Sequence, residues 1–141
     1  MGYRSDVAYR IMFTNKTVLN EFIALVMVKG GYVVKALKEC EIESSYNDTY
    51  CVNFFQADVK WYDDFPDVQG HEELYKFAVE RFPDDAGYKV IRIGEDPDDV
   101  EEDEEGGVDM IPYEDFYVRR EISLPFSHNY LAVGDTLALI P

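Results

Sequence analysis

The sequence predicts an α+β protein of the ferredoxin-like type: an antiparallel sheet with a split βαβ arrangement, two helices on one face, and one or two extra C-terminal strands. Segments with strand-type and helix-type apolar spacing follow one another in the order β-α-β-β-α-β. Right-handed crossovers favour this topology over its alternatives. The length, 141 residues, is that of one domain, so we expect residues 1–141 to form a single domain.

The first strand and helix are predicted from apolar spacing and capping residues. Alternating apolar side chains over 5–13 predict a strand. Thr14 or Asn15 can cap the helix that follows, because a short side-chain oxygen accepts the unpaired N–H groups of the first turn. Gly30 can end this helix by entering a left-handed conformation. Residues 32–38 look like one or two further helical turns.

The later elements alternate in the same way. Acidic and apolar residues alternate from Glu39 onwards, which is typical of a half-buried strand with an acidic outer face. Asn47-Asp48 tolerates positive φ and is the expected turn to the next strand. The remaining predicted elements are strands over 39–46 and 49–61, a helix over 71–82, strands over 88–93 and 116–124, and a weak final strand around 137–140.

The two cysteines are expected to be free, half-buried thiols. With a hairpin turn at Asn47-Asp48, Cys51 faces Ser44 and Cys40 faces Phe55. The sulfurs then share a face but lie about 13 Å apart along the strands. That separation is too large for a disulfide.

The charge balance excludes whole classes of function. The chain has 13 Lys and Arg against 29 Asp and Glu, a net charge of −16. Such a protein repels phosphate backbones, so we expect no direct nucleic-acid binding, and an anionic membrane surface is disfavoured too. No apolar run approaches the length of a membrane span, and the N-terminus does not resemble a signal peptide. The expected partners are therefore basic, and the expected location is the cytoplasm.

Residues 95–115 hold twelve carboxylates and no Lys or Arg, and so account for most of the net charge of −16. Like charges repel and Gly106-Gly107 adds freedom, so we expect a mobile acidic loop at about 95–115. It either keeps the protein soluble or docks a basic partner, and DNA mimicry is one form of docking. Its candidate partner-binding residues are Glu95, Asp96, Asp98, Asp99, Glu101, Glu102, Asp103, Glu104 and Glu105.

A second candidate segment, 61–68, combines aromatic and acidic residues. Trp61 and Phe65 either fold over the open edge of the core or form an exposed binding anchor. Acids around an aromatic residue would suit a groove lined with Arg. The candidate partner-binding residues here are Trp61, Asp63, Asp64 and Asp67.

Motifs that carry chemistry are missing from the sequence. His71 is expected to be exposed at the start of a helix and His128 lies in a loop, and neither has metal-ligand spacing. Residues 96–101 lack the central Gly and the flanking helices of a calcium loop. There is no phosphate-binding glycine loop and no G-x-S-x-G elbow. We therefore expect no enzyme activity, no catalytic residue, no metal and no cofactor.

Three motifs resemble a group of small acidic proteins encoded by bacteriophages and prophages. They are MGYRSDV at 1–7, VKWY at 59–62 followed by PDV at 66–68, and IRIGED at 91–96 running into DDVEE at 98–102. The resemblance implies a viral protein that acts in the cytoplasm of a bacterial host. The group has no settled activity, so no catalytic residue carries over. Small acidic phage proteins often block host machinery, including CRISPR complexes, restriction enzymes and gyrase, and this analogy does not rest on the fold.

Together these observations predict a non-enzymatic interaction protein. It would bind a basic host protein, one that handles nucleic acid, as a DNA mimic or as an inhibitor of host defence (an anti-CRISPR, for example) or of host DNA machinery. One alternative is an accessory or structural phage protein whose acidic loop only gives solubility. A small enzyme or a calcium-binding protein is the third. An exposed sheet edge would favour a homodimer.

Overall fold

The computed structural model describes residues 2–44 and 49–106 and the backbone of residues 131–132. The elements in chain order are β1 (Ser5–Phe13), α1 (Lys16–Lys29), α2 (Tyr32–Lys38), β2 (Glu41–Ser44), β3 (Tyr50–Val59), α3 (Pro66–Arg81), β4 (Ala86–Gly94), β5 (Val100–Gly106) and β6 (Leu131–Ala132).

The strands lie in the order β5-β4-β1-β3-β2-β6, and every neighbouring pair is antiparallel. The central order β4-β1-β3-β2 is that of the split βαβ arrangement, since each βαβ unit has a strand of the other unit between its own two strands. The predicted fold class is confirmed. The helical turns expected after Gly30 form α2, and β5 and β6 are the extra strands.

The hydrophobic core lies between the sheet and the helices. The central strand β1 contributes Val7, Tyr9, Ile11 and Phe13, all fully buried. The ring of Phe13 lies 4.9 Å from that of Phe22 on α1, so burial of these aromatic side chains fixes the helix against the sheet.

The limits of α1 follow from its capping residues. The side chain of Asn15 accepts a hydrogen bond from the Val18 N–H at 2.9 Å, so the predicted cap is confirmed. Gly30 has a φ of 68° and its N–H donates to the carbonyl of Val26, which ends the helix as expected.

The predicted start of α3 is wrong by more than a turn. The helix begins at Pro66, because proline needs no N–H at the first position and has its φ already set. Phe65 precedes it without a side-chain cap, so the usual sequence signal is missing. As a result His71 lies inside the helix and is 2% exposed, and the prediction that it is exposed is wrong.

The predicted register of the β2–β3 hairpin is wrong by one residue. Cys51 pairs with Glu43, and Ser44 pairs with Tyr50. The shift places Cys40 in the core beside the helices and Cys51 on the opposite face of the sheet. Both thiols are free, and both are fully buried rather than half-buried.

The prediction of a mobile loop over the acidic segment is wrong for Val100–Gly106, because these residues form β5, which pairs with β4. The physical reason is that β4 supplies cations directly opposite the acids. Lys89 pairs with Glu104, with a charge separation of 3.9 Å, and Arg92 pairs with Glu101. These cross-strand pairs outweigh the low β-propensity of Glu and Asp.

Several predictions lie outside the described residues. They are the turn at Asn47-Asp48, the acids Asp109, Glu114 and Asp115, His128, and the strands at 116–124 and around 137–140.

Candidate functional site

The two acidic segments that the sequence singled out meet at one groove of about 760 Å³. One side comes from the β3–α3 connection and from α3, and the other side from β4, β5 and the turn between them. Its carboxylates are Asp63, Asp64, Glu72, Asp99, Glu101, Glu102 and Asp103, and its aromatic residues are Tyr3, Trp61, Tyr62 and Tyr75. We call this feature the acidic groove.

The core holds the aromatic side of the acidic groove in place. Trp61 is half-buried, with its ring 5.9 Å from that of Phe54 and 5.4 Å from that of His71. Trp61 therefore does cover the core edge, while still lining the groove. The Tyr62 hydroxyl accepts a hydrogen bond from the Tyr3 N–H at 2.7 Å, which ties this connection to the N-terminal residues.

Arg92 organises the opposite side. Its guanidinium donates to both carboxylate oxygens of Asp99, at 3.1 and 2.7 Å, and also to Glu101. The Tyr3 hydroxyl donates to Asp99 as well, at 2.6 Å. The hydrogen bonds from Arg92, followed by that from Tyr3, lower the pKa of Asp99 below its usual value. Asp99 is therefore a structural carboxylate that fixes the start of β5.

The acids of β5 alternate between the two faces of the sheet. Glu101, Asp103 and Glu105 pair with β4 residues on the helix side, and Glu102 and Glu104 lie on the other side. Every residue of β5 is exposed. This strand therefore presents consecutive carboxylates to solvent on both faces.

Three β5 acids, Glu101, Asp103 and Glu104, have partners within the protein, and Glu104 has the ion pair with Lys89 described above. The Tyr88 hydroxyl donates to Asp103 at 2.8 Å, and burial followed by this hydrogen bond raises the pKa of Tyr88. Glu101 accepts from Arg92. By contrast, Asp63 and Asp64 on the opposite side are exposed.

The structure brings together seven of the predicted site residues and separates the others. Those that line the acidic groove are Trp61, Asp63, Asp64, Asp99, Glu101, Glu102 and Asp103. Asp67 instead pairs with Lys35 of α2 at 2.8 Å. The predicted residues that lie outside the groove are Asp67, Glu95, Asp96, Asp98, Glu104 and Glu105.

Sequence reasoning missed Arg92, Tyr3 and Tyr88, whose side chains position the acids. Arg92 occurs where the apolar alternation of its strand is broken, at the position that faces Glu101. A basic residue at such a position, next to an acidic segment, is the signal that could have indicated a strand pair.

A buried hydrogen-bonded chain around His71 was also missed. Its Nε2 lies 2.8 Å from a carboxylate oxygen of Glu39, and its Nδ1 lies 2.6 Å from the Tyr9 hydroxyl. That hydroxyl lies 3.4 Å from the sulfur of Cys40. Burial lowers the pKa of His71, so a neutral imidazole donates through Nε2 to Glu39 and accepts from Tyr9.

The hydrogen-bonded residues around His71 include a thiol, a phenol and an imidazole, the groups of a nucleophile–base pair, but their pKa values do not suit that chemistry. Burial raises the pKa of Cys40 to about 12 and raises that of Tyr9 as well. A thiol or phenol with a raised pKa stays in its protonated, weakly nucleophilic form at neutral pH. Tyr9, Cys40 and His71 are all buried, and their hydrogen bonds satisfy polar groups inside the core.

Within the described ranges, no group of three or more His, Cys, Asp or Glu side chains could hold a metal ion. In the same part of the chain, no helix is long and apolar enough to cross a membrane. No known family model, curated protein or solved structure matches this chain.

Proposed function

We propose that this is a non-enzymatic interaction protein that binds a basic, nucleic-acid-facing surface of a host protein in the bacterial cytoplasm. The observation that carries the proposal is the meeting of both acidic segments at one exposed groove beside the acidic strand β5. Charge concentrated on one surface steers a partner of opposite charge and fixes its orientation.

The spacing of the acids supports DNA mimicry as the mode of binding. Residues 101–105 are consecutive carboxylates in an extended strand, which gives one charge per about 3.4 Å. Each strand of duplex DNA carries one phosphate charge per about 3.4 Å of helix axis. A partner that lies along the outer edge of β5, and so reaches the carboxylates on both faces of the sheet, would therefore meet a similar linear charge density.

The aromatic residues of the acidic groove support an arginine-rich partner. Trp61 and Tyr62 offer ring surfaces next to Asp63 and Asp64. A guanidinium can stack on an aromatic ring while it donates to carboxylates, and an ammonium group does so less well.

A second function is favoured by the position of β5. Natural proteins place charged side chains on edge strands to prevent pairing between molecules, and β5, beside β4, is at the end of the sheet formed by the described strands. If the acids serve only this purpose, their neutralisation will cause aggregation, and no bound host protein will be lost.

A low-salt affinity capture from host lysate tests the proposal. The variant Asp64→Asn/Glu102→Gln removes one exposed carboxylate from each of the two acidic segments, Asp64 beside Trp61 and Glu102 on the face of β5 away from the helices. The control Glu80→Gln/Asp84→Asn makes the same change in net charge at exposed positions elsewhere. We expect wild type and control to retain the same host protein and the groove variant to lose it.

A competition measurement then separates mimicry from other modes of inhibition. The wild-type protein should displace duplex DNA from the captured host protein, because both would occupy one basic groove. Neutralising all five acids at 101–105 should abolish binding, and far-UV circular dichroism should show that the helices and the strands β1–β4 stay folded, because only the pairing of β5 depends on these acids. Capture that persists in this five-acid variant would contradict the proposal.

A further inference from the structure

The outer edge of β5 has backbone groups directed away from the sheet. Gly94 donates its N–H to the carbonyl of Asp99. This bond shows which residues of the antiparallel pair form hydrogen bonds between β4 and β5. By alternation, the backbone of Glu101 and Asp103 faces β4, and the N–H and C=O of Glu102 and Glu104 face outwards. Among the described strands, β5 has a neighbour on one side only.

The charge of this edge selects what can pair with it. A strand added beside β5 would place its side chains opposite acids on both faces of the sheet, since Glu101 and Asp103 lie on one face and Glu102 and Glu104 on the other. A second copy of β5 would bring acid against acid, which is destabilising. A segment of lysines and arginines would be favoured at every position.

We propose that an extended Lys/Arg-rich segment of the partner protein adds to the sheet as a strand along the outer edge of β5. This inference rests on the proposed function and specifies its binding mode. Strand addition gives affinity through main-chain hydrogen bonds, and the acids give specificity for basic side chains. Basic arms of nucleic-acid-binding proteins have the required composition.

Two peptides of equal length and charge test the binding mode. The first is an end-blocked Lys-Thr-Lys-Thr-Lys-Thr-Lys peptide. The second has the same sequence with every peptide nitrogen methylated, so it keeps the charge but has no backbone N–H to donate to β5. We expect the first to bind more tightly, and to slow amide hydrogen exchange at Glu102 and Glu104 by about tenfold or more. The exchange of Glu101 and Asp103, already bonded to β4, should change less.

A pair of substitutions at Glu102 separates charge from backbone pairing in the full-length protein. Glu102→Gln removes the charge alone, and Glu102→Pro removes the same charge together with the outward N–H. Proline is tolerated where an edge N–H faces solvent. We expect Glu102→Pro to lose about fivefold more affinity for the first peptide than Glu102→Gln, the equivalent of one hydrogen bond.

The outcomes distinguish this inference from the proposed function. Equal binding of both peptides, without slowed exchange at Glu102 and Glu104, would overturn strand addition and leave the acidic docking surface standing. If neither peptide bound wild type at low salt, both would be overturned. The amide-exchange measurement uses wild type, so it holds even if Glu102→Pro fails to fold.

Discussion

Arg92 and His71 both connect the core to the acidic groove, Arg92 through hydrogen bonds and His71 through ring packing. Arg92 joins Asp99 and Glu101 to β4, and the ring of His71 packs against that of Trp61. Burial lowers the pKa of His71, and Arg92 lowers the pKa of its partner Asp99. The pH is therefore a direct probe of both residues.

Substitution of His71 by Gln should change how stability depends on pH. Folding lowers the pKa of His71 below its usual 6.5, so the unfolded chain takes up a proton first as the pH falls. The stabilisation from neutral His71 is therefore complete above about pH 6.5 and declines as the pH falls through the folded pKa.

We expect His71→Gln to cost about 2 kcal/mol at pH 8, through lost hydrogen bonds and ring packing. The difference from wild type should shrink on acidification to pH 5, as measured by urea unfolding. A difference that grows on acidification would mean that His71 is a cation paired with Glu39.

Substitution of Arg92 by Gln should release Asp99. Asp99 has a lowered pKa chiefly because Arg92 donates to it, so we expect that pKa to rise towards its usual value near 3.8. A carbon-detected NMR titration of the side-chain carboxyl measures it directly. Lys76→Gln, at another cation that lines the acidic groove, is the control and should leave the Asp99 titration in place.

Among the elements, α3 forms one side of the acidic groove, and its position depends on close packing against α2. Gly70 of α3 lies against Tyr32 of α2, and a Cβ built at Gly70 would meet the carbonyl oxygen of Tyr32 at 2.5 Å. No side chain fits there unless the two helices move apart.

We expect Gly70→Ala to destabilise the fold by about 1–3 kcal/mol, because overpacking at this contact outweighs the gain in helix propensity. Glu80→Ala, at an exposed position of the same helix, should have little effect. Thermal unfolding followed by circular dichroism measures both. A stabilised Gly70→Ala protein would show that α2 moves without cost.

The elements also show how far sequence reasoning reaches. β1, α1 and β4 were predicted because their apolar spacing is complete within each segment. β5 was not, because its acids become strand residues only through cations on β4, and a single segment does not contain that information. The acidic groove follows the same pattern. Six of its seven acids were predicted and Glu72 of α3 was not, while their meeting depends on how α3 and β5 pack around β4.

For the whole molecule, the uneven distribution of charge has two opposing consequences. A net charge of −16 produces self-repulsion that salt screens, so added salt should favour the folded state. The same screening weakens attraction to a basic partner. Folding and binding should therefore respond to salt in opposite directions.

The most direct test of the proposed binding of a basic partner at the acidic groove and β5 is its salt dependence, measured by fluorescence anisotropy with the Lys-Thr peptide. Wild type, the groove variant Asp64→Asn/Glu102→Gln and the control Glu80→Gln/Asp84→Asn would be compared between about 50 and 200 mM salt. We predict a steep loss of affinity for wild type and control, and weaker binding with a shallower slope for the groove variant. Affinity that stays flat with salt, or a groove variant that binds as the control does, would contradict the account.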